Sequence, residues 1–214
     1  MTMTMADRIS DQKEGPTPAQ IQRGRRTAIL LFAIGFGPMV FATIMFYTGW
    51  LNPVGHTNNG VLIDPVVPVS ELQLQTRSGQ PLGARFGPDK PEAQWMMLVV
   101  SGECGGDCEQ LLYLARQVNI ALGKNANRVS RAAALGSVPA DLAQRWNSEY
   151  SLMERLQPAP GTAPAWPAGV NPEKTPRILL VDPFGNLMMH YGTGNTGKEV
   201  LKDLKHLLKI SQIG

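Results

Sequence analysis

The sequence predicts an α/β fold, a three-layer domain preceded by a single transmembrane helix. Two observations support this prediction. Residues 27–50 form a run of 24 residues without a charged side chain, and at about 1.5 Å rise per residue a helix of that length is long enough to cross a hydrocarbon core. After this run, near-continuous apolar stretches typical of buried strands alternate with amphipathic helices, the order expected for a sheet covered on both faces.

The apolar run is predicted to be a retained membrane anchor that contacts lipid. One alternative is a buried core helix, which should show polar residues at intervals. Another is a cleaved signal peptide, whose apolar region usually spans only about 7 to 15 residues. Phe46, Tyr47 and Trp50 form an aromatic cluster at one end of the run, and such a cluster suits the lipid–water interface.

The charges that flank the anchor predict its orientation. Arg23, Arg25 and Arg26 precede the run, and no Lys or Arg occurs between residues 27 and 76. The positive-inside bias therefore predicts a bacterial inner-membrane protein with a cytoplasmic N-terminus and a periplasmic C-terminal part. The predicted parts are a disordered cytoplasmic tail (1–26), the transmembrane helix (27–50), a periplasmic tether (51–69) and the α/β domain (70–214).

Hydrophobic periodicity and turn residues predict the elements of the α/β domain. They are a hairpin over 71–82 around Ser78-Gly79, a buried strand over 94–101, a helix over 107–122, a second internal strand over 128–137, a helix over 139–156, an irregular proline-rich loop over 158–172, a buried strand over 177–182, a second hairpin arm LMMHY, and a last helix from Thr196. Thr196 and Glu199 are expected to form a capping box at the start of that helix.

The chain has two cysteines, Cys104 and Cys108, in the segment SGECGGDCEQ between a predicted strand and a predicted helix. At a helix start, unpaired backbone N–H groups and the positive end of the helix dipole lower a cysteine pKa and raise its reactivity. At positions i and i+4 the two sulfurs lie on one face of the first turn, where they can form a disulfide or hold a soft ion such as Cu(I). The spacing alone is compatible with a redox-active pair, a metal site or a structural disulfide.

Three carboxylates surround the cysteines: Glu103, Asp107 and Glu109. They disfavour a further anion and attract a cation, which favours metal binding or slow redox chemistry over a strongly acidic thiol. A purely structural disulfide is the remaining alternative, although so short a loop removes little entropy from the unfolded chain.

A membrane anchor, a buried strand ending in CGGDC, a helix, and LLVDPFGN before a final helix together resemble the Sco family over roughly residues 67–210. The resemblance implies a membrane-tethered, thioredoxin-like protein that helps to assemble the dinuclear copper centre of cytochrome c oxidase, with an oxidase subunit or assembly factor as its partner. It also implies that Cys104 and Cys108 are the functional pair. Glu109 departs from the family, which usually has proline at this position.

A Cu(I) site of the kind that the resemblance implies would need a replacement donor. Family members carry a histidine just before the strand that leads to Asp-Pro-x-Gly, whereas NPEKTPRILLVDP has none. His190 is the candidate third ligand beside Cys104 and Cys108, and an ordinary strand residue is its alternative interpretation. His56, in the tether, and His206, among lysines on the last helix, are expected to be solvated.

The resemblance further implies a cis-proline at Thr175-Pro176, because thioredoxin-like folds often place one before this strand, facing the cysteines. The backbone of these two residues would then help to dock a substrate thiol beside Cys104.

Nucleic acid and nucleotide are not expected as ligands. The formal charge is only +3, and basic residues are scattered without interleaved aromatic ones, which gives no support for nucleic-acid binding. The segment GTGNTGKE (192–199) has the glycine spacing of a phosphate-binding loop, but Glu199 stands where such a loop needs Ser or Thr. This segment is expected to be a turn.

The leading functional hypothesis is a periplasmic thioredoxin-like protein that either reduces the cysteines of a copper-receiving oxidase subunit or delivers Cu(I) to it. As a thiol–disulfide oxidoreductase it would attack the partner disulfide with Cys104, expected to be the more exposed thiol, and resolve the mixed disulfide with Cys108. The missing histidine favours the thiol role. The alternative is a non-enzymatic assembly scaffold with an inert disulfide, in which the proline-rich loop around Trp166 docks a partner.

Overall fold

The computed structural model describes residues 17–48, 58–90 and 92–211. Residues 1–16 of the expected tail, Trp50 and residues 51–57 of the expected tether lie outside the described residues. The chain divides into two compact units, residues 1–56 and 57–214. The first unit contains α1 (Pro18–Thr48), a helix of 31 residues that is long and apolar enough to cross a membrane.

α1 begins at Pro18, well before the predicted start of the anchor. Thr17 and Gln20 cap this end reciprocally: Gln20 Oε1 accepts a hydrogen bond from the Thr17 N–H at 2.9 Å, and Thr17 Oγ1 accepts one from the Gln20 N–H at 3.4 Å. Proline suits the first helical position because its missing N–H is not needed there. The expected disordered tail is therefore wrong for residues 18–26, and the capping signal TPAQ could have predicted this helix start.

Within its described residues, the second unit is built on a mixed sheet of seven strands in the order β1-β7-β6-β3-β4-β5-β2. The strands are β1 (Val61–Pro68), β2 (Leu74–Thr76), β3 (Trp95–Glu103), β4 (Val129–Ser137), β5 (Glu154–Pro158), β6 (Arg177–Val181) and β7 (Asn186–Tyr191). The helices are α2 (Gly106–Ala121), α3 (Ala140–Glu149) and α4 (Gly197–Ile210). Strands β3, β4 and β5 are parallel, so each connection between them crosses over through a helix.

The two faces of the sheet carry separate cores. The helices α2, α3 and α4 pack on one face, through side chains such as Leu112, Trp146 and Leu204. The other face is covered by two 3₁₀ helices, Val69–Leu72 and Leu82–Arg85, and by the proline-rich loop. The predicted three layers are present, but in the part of the chain described here the third layer contains no α-helix.

β1 occupies much of the segment predicted to be a tether. It pairs with β7 at the edge of the sheet, and Ile63 is buried in the core on the face without helices. Pro65 and Pro68 have no N–H to donate, which an edge strand tolerates. The α/β domain therefore begins before residue 70, and its proline content concealed this strand.

The helix predicted over 139–156 is shorter in the structure. α3 ends at Glu149, and β5 begins at Glu154. The Tyr150 N–H still donates to the Trp146 carbonyl oxygen at 2.8 Å. β5 then pairs with β4 and β2, so sheet pairing overrides the helical periodicity of its sequence.

The other predicted elements differ from the structure mainly at their ends. The hairpin over 71–82 is reduced to one antiparallel bridge, between Gln75 and Pro81. The capping box of α4 is confirmed: the Glu199 N–H donates to Thr196 Oγ1 at 3.4 Å, and the Thr196 N–H donates to Glu199 Oε2 at 2.7 Å. The predicted strand before the cysteines, the helix after them and the next strand are confirmed as β3, α2 and β4.

Candidate functional site

The two cysteines lie where β3 ends and α2 begins. β3 ends at Glu103, Cys104 follows, Gly105 is the N-cap residue of α2, and Cys108 lies in the first turn. The Cys104 N–H donates to the Ser137 carbonyl oxygen at 3.1 Å. The turn is thus fixed to the ends of two buried parallel strands.

Cys104 and Cys108 form a disulfide, with their Cα atoms 5.0 Å apart. Cys104 is 1% exposed and Cys108 is 0% exposed, and both belong to the core that the helices share with the sheet. The expected difference in exposure between Cys104 and Cys108 is therefore absent, because both cysteines are buried in the disulfide form. A partner can reach either sulfur only when the first turn of α2 opens.

Two glycines form the outer surface of this turn. A Cβ atom added at Gly105 or at Gly106 would meet no atom within 4 Å, and both residues are exposed. Open space therefore lies beside the backbone that connects the two cysteines. This exposed backbone is a candidate point of approach for a partner once the turn opens.

Arg145 of α3 neutralises the carboxylate next to Cys108. Its guanidinium donates to Glu109 Oε2 at 3.0 Å, and to Asp141 and Glu149 on its own helix at 3.2 Å and 3.1 Å. The hydrogen bond to Glu109 is the largest cause that raises the pKa of Arg145, and the hydrogen bond from Arg145 lowers the pKa of Asp141. The carboxylates around the cysteines are predicted to attract a cation. For Glu109 this cation is the Arg145 guanidinium.

The loop before β6 closes on the end of β3. The Gly102 N–H donates to the Pro172 carbonyl oxygen at 2.8 Å. The Glu173 carboxylate lies against Gly102, where an added Cβ atom would clash with Glu173 Oε2, and an added Cβ at Gly136 would clash with the Gly102 carbonyl oxygen. Sequence reasoning missed Glu173, because no local spacing connects it with Gly102; only the pairing of β3 with β6 brings the two segments together.

Thr175 and Pro176 do not form the expected docking element. The Thr175–Pro176 bond is trans, and the cis bond among the described residues is Asp64–Pro65. The Thr175 N–H donates to the Asn171 carbonyl oxygen at 3.0 Å, so it is not free to bind a substrate backbone. The cis-proline expectation is therefore wrong, although these residues do lie at the same end of the sheet as the disulfide.

His190 lies on the opposite face of the sheet from the cysteines. It pairs with Leu179 on β6, and Leu179 belongs to the core on the face without helices. An added Cβ at Gly169 of the proline-rich loop would lie 3.7 Å from His190 Nε2. Burial and, to a smaller extent, the charge of Arg177 lower the pKa of His190. The expectation that His190 is a third metal ligand is wrong, because side chains along a strand alternate between faces.

The residues present do not fit the three-donor Cu(I) site that the resemblance implies. Within the described ranges, no group of three or more His, Cys, Asp or Glu side chains could hold a metal ion. His206 is exposed on α4, as expected, and His56 lies outside the described residues. Cys104 and Cys108 therefore remain as a pair of sulfur atoms without a third ligand from these residues.

Comparison with known families agrees with this geometry. A model described as a transmembrane-like N-terminal domain matches residues 18–49. A model described as a transmembrane-like, thioredoxin-like C-terminal domain matches residues 95–211, more than half of the chain. The chain belongs to this thioredoxin-like family. No curated protein matches it in sequence.

The thioredoxin-like domain is similar to solved structures of Sco proteins. The apo Sco1 of Thermus thermophilus is 18% identical with a TM-score of 0.50, over 72% of this chain and 99% of that chain. Bradyrhizobium japonicum ScoI, solved with copper bound, is 18% identical with a TM-score of 0.41, over 69% and 98% of the two chains. The thioredoxin domain of a Bacteroides vulgatus thiol-disulfide oxidoreductase is 9% identical with a TM-score of 0.40, over 71% and 99%. The predicted resemblance to the Sco family is confirmed as a similarity of fold.

Proposed function

We propose that the protein is a membrane-anchored thiol–disulfide exchange protein that acts in cytochrome c oxidase assembly. The observation that carries the proposal is the Cys104–Cys108 disulfide across the first turn of α2, in a thioredoxin-like domain. The connection with the oxidase rests on the resemblance to Sco proteins, a family of cytochrome c oxidase assembly proteins. The proposed location is a bacterial inner membrane, with the domain in the periplasm as the arginines before the anchor predict.

In the proposed reaction the reduced protein reduces a disulfide in a copper-receiving subunit. The Cys104 thiolate attacks one partner sulfur, and the other partner sulfur leaves as a thiolate that takes up a proton. The Cys108 thiolate then attacks the Cys104 sulfur in the mixed disulfide, which releases the second partner thiol and closes the Cys104–Cys108 bond. Two electrons pass to the partner, and a dithiol reductant in the same compartment must restore the protein thiols.

The position of Cys104 supports its role as the attacking thiol. It precedes α2 and adjoins Gly105 and Gly106, which face open space, whereas Cys108 lies inside the helix. The backbone N–H groups of the first turn stabilise a thiolate at this end of the helix. Because both cysteines are buried in the oxidised form, we expect exchange to be limited by opening of this turn.

Thiol–disulfide exchange is better supported than delivery of Cu(I) as cargo. Cys104 and Cys108 have no third donor grouped with them among the described residues, and His190 lies on the other face of the sheet. Titration of the reduced full-length protein with Cu(I) under a competing chelator tests this preference. We expect binding no tighter than that of a simple dithiol, and one equivalent held much more tightly would favour copper delivery instead.

Trapping of the mixed disulfide tests the proposed reaction. Cys108→Ser leaves Cys104 without its resolving thiol, so a disulfide-linked complex with the partner should accumulate in membranes. Cys104→Ser, which keeps one thiol but removes the attacking sulfur, is the matched control and should trap little. The thiol mechanism is wrong if the double Ser variant still restores oxidase activity in a deletion strain.

The burial of both cysteines favours a second candidate function, an assembly scaffold with an inert disulfide. In that case the proline-rich loop would dock the partner, with Trp166 half-buried against the core on the face without helices. Trp166→Ala would then abolish recovery of oxidase activity, while the double Ser variant would keep it. If Trp166→Ala keeps the recovery of oxidase activity and the double Ser variant loses it, thiol exchange is supported.

A further inference from the structure

The outer face of α4 carries a lysine stripe. The stripe consists of Lys198, Lys202, Lys205 and Lys209, and their spacing by three or four residues places them on one side of the helix. All four are exposed, and none forms an ion pair with a carboxylate within the described part of the chain. The acidic residues of α4 are engaged elsewhere, since Glu199 caps the helix and Asp203 is buried.

Two grooves with apolar side chains lie along the lysine stripe. A groove of about 540 Å³ between α2 and α4 is lined by Tyr113, Leu114 and Leu201, among others, and Tyr113 is 56% exposed. A second groove, of about 340 Å³, is lined by Met189 and Leu207 together with polar side chains that include three lysines of the stripe. The apolar face of α4 is buried in the domain core, so a lipid surface would be met by the exposed lysine ammonium groups, their aliphatic stems and Tyr113.

α4 also binds the segment by which the chain enters the domain. Asp203 accepts hydrogen bonds from the Asn59 N–H at 2.8 Å, from Asn59 Nδ2 at 2.7 Å and from the Gly60 N–H at 2.9 Å. Asn59 follows Thr48, the last residue of α1, by only 11 positions, and a chain of that length spans at most about 40 Å. The covalent connection therefore keeps the effective concentration of lipid at α4 high.

We infer that the lysine stripe of α4 docks on the anionic phospholipid headgroups of the membrane in which the chain is anchored. The lysine ammonium groups contact lipid phosphates, while their aliphatic stems and Tyr113 pack at the interface. Because the lysines are exposed, salt weakens the attraction. This docking is independent of the proposed thiol exchange, since none of these residues touches the disulfide turn.

Amine labelling of the full chain in nanodiscs tests the inference. The lysine stripe should react with a water-soluble acylating reagent about fivefold more slowly in phosphatidylglycerol–phosphatidylcholine discs than in phosphatidylcholine discs. A rate change of this size corresponds to the attraction of roughly one lysine to an anionic membrane. Lys90 and Lys174, exposed elsewhere on the domain, serve as internal controls and should react equally in both discs. The protection should disappear at about 0.5 M salt, where the Debye length is roughly 4 Å.

A charge variant separates docking from other causes of protection. Lys202→Gln with Lys205→Gln should return Lys198 and Lys209 to the labelling rates seen in phosphatidylcholine discs, whereas Lys90→Gln with Lys174→Gln should leave the protection unchanged. Equal labelling of the stripe in the two kinds of disc would overturn the inference. Protection that occurs in native membranes but not in anionic discs would also overturn it, and would identify an acidic protein as the partner.

Discussion

Arg145 of α3 donates a hydrogen bond to Glu109 of α2, the residue directly after Cys108, across 3.0 Å. This ion pair connects the helix after β4 with the helix that carries the disulfide. It also compensates one of the negative charges next to the cysteines, which would otherwise disfavour a thiolate. The reactivity of the reduced cysteines should therefore depend on a residue of another helix.

Arg145→Gln should raise the pKa of the thiols in the reduced protein, because the charge of Glu109 is then uncompensated. We expect alkylation by iodoacetamide to be slower at neutral pH, with its pH profile displaced to higher pH. Arg85→Gln is the matched control, since it removes an ion pair with Glu154 that does not involve the disulfide turn. Identical pH profiles for the two variants would contradict the prediction.

Gly106→Val should slow reduction of the disulfide by dithiothreitol several-fold without changing the fold. The added side chain has space, because a Cβ at Gly106 meets no atom within 4 Å, but it fills the open approach beside the cysteines. Gly194→Val, at another exposed glycine whose Cβ would also be free of contacts, is the control and should leave the rate unchanged. Equal rates in both variants would show that dithiothreitol reaches the disulfide by a different route.

Acid should destabilise the protein through His190. Burial, followed by the charge of Arg177, lowers the pKa of His190 in the folded state, so the unfolded chain binds this proton more tightly. Stability from the neutral ring is therefore complete above the unfolded pKa of about 6.5 and falls as the pH drops below that value. His190→Gln should flatten the dependence of the unfolding free energy on pH in this acidic range.

Urea unfolding of the full-length protein in detergent, at a series of pH values, measures this effect. His206→Gln, on the exposed face of α4, is the matched control. A His190→Gln protein with the same pH slope as the wild type would contradict the assignment.

Asp203→Ala should destabilise the second unit by about 3 kcal/mol, because it leaves one buried and one partly buried N–H donor without an acceptor. The donors are the N–H groups of Asn59 and Gly60, and the Tyr191 hydroxyl also donates to Asp203, at 3.2 Å. Tyr191→Phe removes only the last of these bonds, together with the contact of the same hydroxyl with Met189 Sδ at 2.9 Å, and should cost about 1 kcal/mol. Urea unfolding compares the two variants, and equal costs would show that the Asn59 and Gly60 contacts contribute nothing.

Gly136→Ala should be more destabilising than Gly102→Ala. The added methyl at Gly136 meets a backbone carbonyl of β3, which cannot move without distorting the sheet, whereas the methyl at Gly102 meets the exposed side chain of Glu173, which can rotate away. We expect a loss of about 2 kcal/mol or more at Gly136. Glu173→Ala should remove the remaining cost of Gly102→Ala in the double variant, and a thermal unfolding series tests all four proteins.

Local patterns predicted the central elements because their signals are short in range. The apolar run WMMLVV predicts a buried strand, and the heptad-like spacing of apolar residues in α2 predicts a helix with one buried face. The Thr196–Glu199 capping box depends on two residues three positions apart. β1 and β5 were not predicted, because edge pairing with β7 overrides the prolines of β1, and pairing with β4 overrides the helical periodicity of β5.

The site was predicted in part for the same reason. The cysteine pair and its place at a helix start follow from adjacent residues, and the structure joins them in a disulfide. The face on which His190 lies, the trans bond before Pro176 and the approach of Glu173 to Gly102 all depend on strand order and register. No spacing in a single sequence contains that information.

The hydrogen bonds from Asn59 and Gly60 to Asp203 have a practical consequence for biochemistry on this protein. A truncation at residue 70, the boundary that the sequence suggests, would delete β1 and strip Asp203 of its backbone donors. The hydrogen-bonding edge of β7 would then be open to neighbouring copies, and such edges promote self-association. A soluble version intended for redox titration should therefore keep the chain from at least Asn58 onward.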